Sequence, residues 1–224
     1  MKKKKIFFWI LLFIFLTTYQ FSQDKLSNYS LFQIEEIEVK GIKNADTFEI
    51  EEKLKIFKGK NLLSINTKEL IKPIFFTDFI KDIKINKIYP DKIKITIQEY
   101  KPIGVFFQNE NKNILIENGK LIKNYNSKFN SLPLVYGEKA NENFPLFYKI
   151  ITNSNFDLKK VDHFRYFQSG RWDIQLKDGK LIKLPSGMDK SEDSIKKFLS
   201  LKEKENFKRF KVFDFRTKNQ LIMK

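Results

Sequence analysis

The sequence contains no cysteine and only one histidine, His163, among its 224 residues. The lack of cysteine excludes disulfide bonds, thiolate metal ligands and cysteine nucleophiles. A single histidine cannot form a multi-histidine metal site, and it is far more often a surface or strand residue than a catalytic acid or base. We therefore expect neither a metal nor a cofactor.

Glycine is also scarce, with eight residues in the whole chain, so little of the chain is available for a phosphate-binding loop. Neither G-x-S-x-G nor H-E-x-x-H occurs. The adjacent carboxylates Glu35–Glu36 and Glu51–Glu52 point in different directions on a strand or a helix and cannot act as an acid–base pair. The sequence predicts a protein that is not an enzyme and has no small-molecule substrate.

Arginine is rare although the formal net charge is +16. The four arginines lie at positions 165, 171, 209 and 216, and the lysines are spread along the chain. Nucleic-acid binding usually depends on arginine forks and on basic residues interleaved with stacking aromatics. We therefore expect no nucleic-acid partner.

A basic start and an apolar run predict a membrane segment. Lysines 2–5 precede an apolar stretch that contains Ile6, Phe7, Phe8, Trp9, Ile10, Leu11, Leu12, Phe13, Ile14, Phe15 and Leu16. A cleaved signal peptide has a similar pattern, but residues 17–25 lack the small-x-small cleavage site. We favour an uncleaved anchor at residues 6–24 after a cytoplasmic tail at residues 1–5, with the bulk of the chain exported.

Residues 32–101 are predicted to form a compact α+β unit in the order strand, helix, helix, strand, strand. Asp46 and Asn66 are expected to cap the two helices, each with a glutamate three residues later. The isoleucines of residues 83–97 alternate with lysine or threonine, which is the period of a half-buried strand. Two helices should therefore pack on one face of a three-stranded sheet.

Residues 102–224 are predicted to form a mostly antiparallel β domain with two helices. Asn118-Gly119 indicates a type I′ hairpin, and Asp178-Gly179 indicates a second hairpin. Helices are expected over residues 144–151 and 189–204. Trp172 and the neighbouring phenylalanines are expected in the core rather than in a ligand pocket.

A series of short motifs runs along the chain. In chain order the motifs are KIYPDKI (87–93), IQEYKPI (97–103), ILIENG (114–119), LPLVYG (132–137), RWDIQL (171–176) with LP (184–185), and FDFR (213–216). This series resembles the FtsQ/DivIB family of bacterial cell-division proteins. Any one of these motifs alone is weak evidence for the resemblance. Together they cover nearly the whole chain, in order and at suitable spacings.

The resemblance implies a POTRA domain followed by an FtsQ-type β domain, attached to the inner membrane by a single span with the bulk in the periplasm. The family links early and late division proteins at the septum and binds FtsB/FtsL-like coiled-coil membrane proteins. Its POTRA domain is implicated in recruitment to the division site. A partner strand adds to the last sheet edge, which by position corresponds to Asp214, Phe215, Arg216, Thr217, Gln220, Leu221, Ile222 and Met223.

Other functions remain open at this stage. A POTRA unit can also belong to a chaperone-like module in outer-membrane protein assembly or transport, although such proteins usually have several POTRA units. A secreted enzyme and a nucleic-acid-binding protein are disfavoured by the missing motifs and the dispersed lysines. We expect a non-enzymatic division scaffold.

Overall fold

The computed structural model describes residues 2–18, 32–108, 110–123, 125–201, 204, 208–218 and 220–224. The first helix, α1 (Lys2–Thr18), contains the predicted tail lysines and the predicted anchor residues 6–16. The remainder of the predicted anchor, residues 19–24, lies outside the described residues. None of the helices in the described ranges is both long enough and apolar enough to cross a membrane.

The chain forms two compact units, residues 1–99 and residues 100–224. Beyond α1, the described residues of the first unit form five elements in chain order: β1 (Glu36–Lys40), α2 (Thr47–Lys55), α3 (Thr67–Phe75), β2 (Ile80–Ile88) and β3 (Lys92–Glu99). The sheet order is β1-β3-β2, with β1 parallel and β2 antiparallel to β3. The predicted order of strands and helices is confirmed.

Local sequence signals account for helices α2 and α3. The Asp46 side chain accepts the backbone N–H of Phe48 at 2.9 Å and that of Glu49 at 3.3 Å, and Asn66 accepts the N–H of Lys68 at 3.0 Å. Each cap satisfies donors that the first helical turn leaves unpaired. The core contains the apolar stripes of both helices and the isoleucine face of the sheet: Ile50, Leu54, Leu70, Ile74, Ile83, Ile93, Ile95 and Ile97.

Glu99 fastens the loop after β1 to the end of β3. One carboxylate oxygen accepts the backbone N–H groups of Lys43 at 2.8 Å and Ala45 at 3.0 Å, and both oxygens accept from Asn44. A carboxylate that accepts several backbone N–H groups forms charge-assisted hydrogen bonds, which are stronger than neutral ones. The side chain therefore holds the approach to α2 in place.

Replacing Glu99 with glutamine should destabilise the first unit by about 1–3 kcal/mol, because one oxygen acceptor and the negative charge are lost. Thermal unfolding followed by circular dichroism measures the change. Glu35→Gln, at an exposed position of the same unit, is the matched control. An unchanged midpoint for Glu99→Gln would show that the loop is held by other contacts.

In the parts of the second unit that the structure describes there are nine strands and two α-helices. In chain order they are β4 (Pro102–Gln108), β5 (Asn111–Ile116), β6 (Leu121–Ile122), β7 (Leu134–Tyr136), α4 (Ala140–Asn153), β8 (Val161–Phe167), β9 (Arg171–Leu176), β10 (Leu181–Lys183), α5 (Met188–Leu201), β11 (Val212–Asp214) and β12 (Ile222–Met223). The sheet order is β12-β11-β10-β9-β8-β7-β4-β5-β6. Three of the eight neighbouring pairs, β4–β7, β7–β8 and β10–β11, are parallel, and the others are antiparallel.

Helices α4 and α5 pack against one face of this sheet. Phe147 of α4 stacks on Trp172 of β9 with ring centroids 4.6 Å apart, and Phe198 of α5 meets Phe213 of β11 at 5.0 Å. Trp172 is 1% exposed, so its predicted place in the core is confirmed. Since side chains alternate along a strand, the neighbours of these core residues point to the opposite face.

The turn at Asn118-Gly119 differs from the predicted type. A type I′ turn needs positive φ at both central residues, but only Gly119 has one, at 85°, and Asn118 does not. The Gly119 N–H instead bonds to the Ile116 carbonyl at 2.9 Å, and the Ile116 N–H bonds to Lys120 at 3.1 Å. The loop is therefore one residue longer than a type I′ turn and is closed by a glycine bulge.

Helix α4 begins at Ala140, four residues before the predicted start at residue 144. Its N-cap, Lys139, has a left-handed φ of 57° and makes no side-chain capping bond, so the sequence carries no capping signal there. Pro145 lies inside the helix rather than in its first turn. The apolar face at Phe144, Phe147 and Ile151 stabilises the helix through packing despite these local signals.

Candidate functional site

The predicted partner-binding residues form one end of the nine-stranded sheet. Strand β12 is the terminal strand in the sheet order and pairs only with β11 in the described part of the chain. The register places Phe213 opposite Met223 and Asp214 opposite Ile222. A terminal strand presents unpaired backbone groups, which another strand can bind.

The hydrogen bonds show which backbone groups of β12 face outward. Val212 and Lys224 exchange both bonds, with N···O distances of 2.9 and 3.1 Å. In an antiparallel ladder, residue pairs that are hydrogen-bonded to each other alternate with pairs that are not. Because Val212 and Lys224 form a hydrogen-bonded pair, the residues of the next pair, Phe213 and Met223, are not hydrogen-bonded to each other. The N–H and C=O groups of Met223, and by the same alternation those of Leu221, therefore point away from β11 towards the free edge.

The side chains at this edge alternate in burial. Leu221 and Met223 pack against the main core, whereas Gln220 and Ile222 are exposed, Ile222 at 43%. The two residues whose backbone faces the free edge are therefore anchored by their own side chains. This arrangement holds the edge in an extended conformation, in which its backbone can pair with another strand.

Arg216 is already engaged by Asp214. Its Nε donates to both Asp214 carboxylate oxygens, at 2.8 and 3.1 Å, and its Nη2 donates to Oδ2. This pairing lowers the pKa of the Asp214 carboxyl and raises that of Arg216. A contact between Arg216 and a carboxylate of a partner would therefore have to use the remaining N–H groups or displace Asp214.

Phe215 and Thr217 have different surroundings. The Phe215 side chain is 7% exposed and packs in the core, and its N–H bonds to the Lys183 carbonyl at 2.9 Å. Any contribution of Phe215 to binding is therefore indirect. Thr217 is exposed and, with Arg216 and Lys218, lines a groove of about 630 Å³ beside the start of α5.

Sequence reasoning missed a buried acid in the same sheet, Asp173 on β9, which β10 and β11 separate from β12. It is 8% exposed, and its Oδ1 has no hydrogen-bond partner. Burial raises the pKa of its carboxyl, and the charges of Arg171, Lys183 and Arg216 oppose that shift. Only the strand register brings Asp173 and Lys183 side by side, so no sequence motif could have indicated that they are neighbours.

Two protein-family models match the chain. The model of the POTRA domain, FtsQ-type, matches residues 32–100, and the model of the FtsQ/DivIB C-terminal region matches residues 105–216. The second match alone covers half of the chain. The chain belongs to the FtsQ/DivIB family of cell division proteins. Asp214, Phe215 and Arg216 lie at the end of the matched region, and strand β12 lies beyond it.

Relatives from several bacteria agree with this assignment. The chain is 27% identical over 157 residues to the cell division protein FtsQ of Rhizobium meliloti (strain 1021), covering 69% of the chain and 50% of the relative. It is 26% identical over 192 residues to FtsQ of Rickettsia bellii (strain RML369-C), covering 84% and 71%. It is 32% identical over 124 residues to DivIB of Clostridium botulinum (strain Loch Maree / Type A3), covering 54% and 47%.

The aligned part of the chain spans about half the length of the first two curated relatives, from Rhizobium meliloti and Agrobacterium fabrum. A solved structure of the major extracytoplasmic domain of DivIB from Geobacillus stearothermophilus aligns with 16% identity and a TM-score of 0.36. That alignment covers 47% of this chain and 92% of that chain. FtsQ/DivIB is a family of cell division proteins and not a known enzyme family.

Proposed function

We propose that this FtsQ/DivIB-family chain is a non-enzymatic scaffold of the division machinery, which captures a partner by strand addition beside β12. The supporting observation is the free edge, where Leu221 and Met223 direct their backbone groups outward while their own side chains pack against the core. Strand addition obtains its affinity from main-chain hydrogen bonds and its specificity from alternate side chains.

The partners we propose are small coiled-coil membrane proteins of the FtsB/FtsL kind. They would deliver a short strand to the edge formed by residues 220–223, with Asp214, Arg216 and Thr217 contacting the segment next to that strand. The mixed charges at the neighbouring groove, from Lys190, Asp193 and Lys218, suit a polar flanking segment. The edge is short, so side-chain contacts beside it should contribute to specificity.

For localisation, we propose that the segment at residues 6–24 attaches the chain to the inner membrane, with the N-terminus in the cytoplasm and the bulk in the periplasm at the septum. The apolar side chains of α1 are exposed, for example Phe7 at 66% and Trp9 at 65%. Lysines 2–5 would remain on the cytoplasmic side, in agreement with the positive-inside rule.

Site-specific photo-crosslinking in dividing cells tests this function. A photoreactive amino acid replaces the exposed Gln220 in the full-length chain, and the control position is Lys149, which is exposed on α4. We expect an adduct with a small single-pass coiled-coil protein from position 220 and none from position 149. If position 220 captured unfolded outer-membrane proteins instead, the transport-module function would replace the scaffold.

A further inference from the structure

The side of helix α3 that faces away from the core carries two lysines followed by two phenylalanines. The inner side of α3 contributes Leu70 and Ile74 to the core of the first unit. Residues spaced i, i+4, i+7 and i+8 line the opposite side, and all of them are exposed: Lys68, Lys72, Phe75 and Phe76. We call this set the α3 stripe.

The phenylalanines of the α3 stripe place a large apolar surface in contact with solvent. Phe76 is 88% exposed and Phe75 is 51% exposed, and their rings meet edge to face with centroids 5.5 Å apart. Helix α2 lies beside this end of α3, because the Lys53 Nζ donates to the Thr77 Oγ1 at 3.1 Å. Phe48 of α2 is also exposed, at 70%. Apolar surface of this kind marks a site of interaction with another protein or a membrane.

The lysines of the α3 stripe are not paired within the chain. Among the described residues, no carboxylate oxygen lies within 4 Å of the Nζ of Lys68 or Lys72. On α2, by contrast, Lys53 pairs with Glu49. The two ammonium groups of the α3 stripe are therefore available to an anionic group outside the chain.

The place of the first unit in the chain favours a lipid bilayer as the partner, a step that rests on the membrane anchor proposed above at residues 6–24. Residues 25–31 connect that anchor to Phe32, and seven residues span at most about 25 Å even when fully extended. A compact unit of about 70 residues has a diameter of about 28 Å. The helices of the unit can therefore reach the bilayer. Because the unit is tethered, even a weak affinity for the surface is sufficient for docking.

We propose that the α3 stripe docks the first unit on the anionic phospholipid surface of the membrane that holds the anchor. Phe75 and Phe76 enter the boundary between head groups and acyl chains, and Lys68 and Lys72 contact lipid phosphates. Helices that lie in a membrane interface combine aromatic and lysine side chains in this way. Docking turns the opposite face of the unit, which carries Lys84, towards the aqueous phase.

Fluorescence quenching in vesicles tests the docking. The natural chain has no cysteine, so one introduced cysteine carries the fluorophore. The full-length chain is reconstituted in vesicles of phosphatidylethanolamine and phosphatidylglycerol. The label is placed at Glu69→Cys, on α3 beside the stripe, or at Lys84→Cys, on the sheet face opposite the helices. Lipids with a spin label near the head group should quench position 69 several-fold more than position 84, and equal quenching at both positions overturns the proposal.

A third label, Ile10→Cys in α1, separates the docking from the anchor on which it rests. A spin label deep in the acyl chains should quench position 10 if residues 6–24 are in the membrane. Quenching at position 10 but not at position 69 overturns the docking and leaves the anchor in place. Absence of quenching at position 10 overturns the anchor and the docking together. Shielding of position 69 that requires added division proteins would show that a protein covers the α3 stripe, and would overturn the lipid assignment.

Substitutions in the chain labelled at position 69 identify the docking residues. Phe76→Ser should lower the ratio of docked to undocked chain about tenfold, because the aromatic ring no longer leaves water. Ile88→Ser is the matched control, since Ile88 is also exposed but lies on the opposite face of the unit. Both side chains are exposed, so the unfolding midpoints of the two variants should stay close to that of the unaltered chain. Equal effects of the two substitutions would overturn the assigned surface.

The lipid composition tests the role of the lysines. Lys72→Glu should weaken docking at least fivefold on vesicles that contain phosphatidylglycerol, because a lysine near an anionic surface contributes about this factor. On vesicles of phosphatidylcholine alone the same substitution should have little effect. A Lys72→Glu chain that docks on the anionic vesicles as well as the unaltered chain would overturn the contact between the lysines and lipid phosphates.

Discussion

Replacing Met223 with proline is expected to abolish most partner binding at the β12 edge. The Met223 N–H faces the free edge, and proline removes that donor and places a ring where the partner strand must lie. Loss of one main-chain hydrogen bond together with the steric conflict should reduce affinity by about tenfold to a hundredfold. The measurement is co-purification, without crosslinking, of the partner that the crosslinking experiment identifies. The partner is titrated against the full-length chain to give an apparent affinity.

Met223→Ala is the matched control, because it removes the same side chain but keeps the N–H. It should lose a little stability through packing and retain most of the partner binding. Thermal unfolding of both variants shows whether a loss of binding comes from unfolding of the protein or from the blocked edge of β12. If the alanine variant lost binding as completely as the proline variant, the side chain and not the backbone edge would carry the interaction.

Replacing Gly137 with alanine is expected to destabilise the second unit by more than about 3 kcal/mol, which corresponds to a fall of roughly 10 °C in its unfolding midpoint. Gly137 has a φ of 117°, a conformation that essentially only glycine adopts. A Cβ at this position would also lie 2.3 Å from the Tyr166 carbonyl oxygen on β8. The contact cannot relax easily, because the new Cβ would meet backbone atoms of Tyr166 rather than the end of a flexible side chain.

Gly170→Ala separates the two causes of that loss. Gly170 also has a positive φ, 78°, but a Cβ there would meet nothing within 4 Å. The substitution should therefore cost only about 1 kcal/mol from backbone strain. Differential scanning calorimetry of the full chain compares the two variants. Equal midpoints would mean that close approach of the strands at Gly137 is not a constraint on the fold.

The sequence predicted the parts of this fold that depend on neighbouring residues. Asp46 and Asn66 mark their helices because their side chains can reach backbone donors only two or three residues away. The isoleucines of β3 alternate because one face of the strand is buried, and this pattern is visible without any knowledge of the partner strands. The motif series also identified the family, which the family models confirmed.

Elements stabilised by distant contacts were harder to predict. The start of α4 was predicted four residues late, since Lys139 offers no cap and the helix is stabilised by the aromatic core around Trp172. The turn at Asn118-Gly119 was assigned the wrong type, because its dipeptide suits several turns and the strand register selects one. The placement of β7 between β4 and β8 joins segments far apart in sequence.

For the functional surfaces, the sequence by itself determined that the chain has no cysteine and hence no thiol chemistry, that its last residues can form a strand, and which family it belongs to. Only the tertiary structure decided that β12 lies at the end of the sheet, that Met223 presents its backbone outward, and that Arg216 is held by Asp214. Such arrangements depend on sheet order and register, which are set by packing among segments separated by up to about a hundred residues, and local patterns carry little information about them.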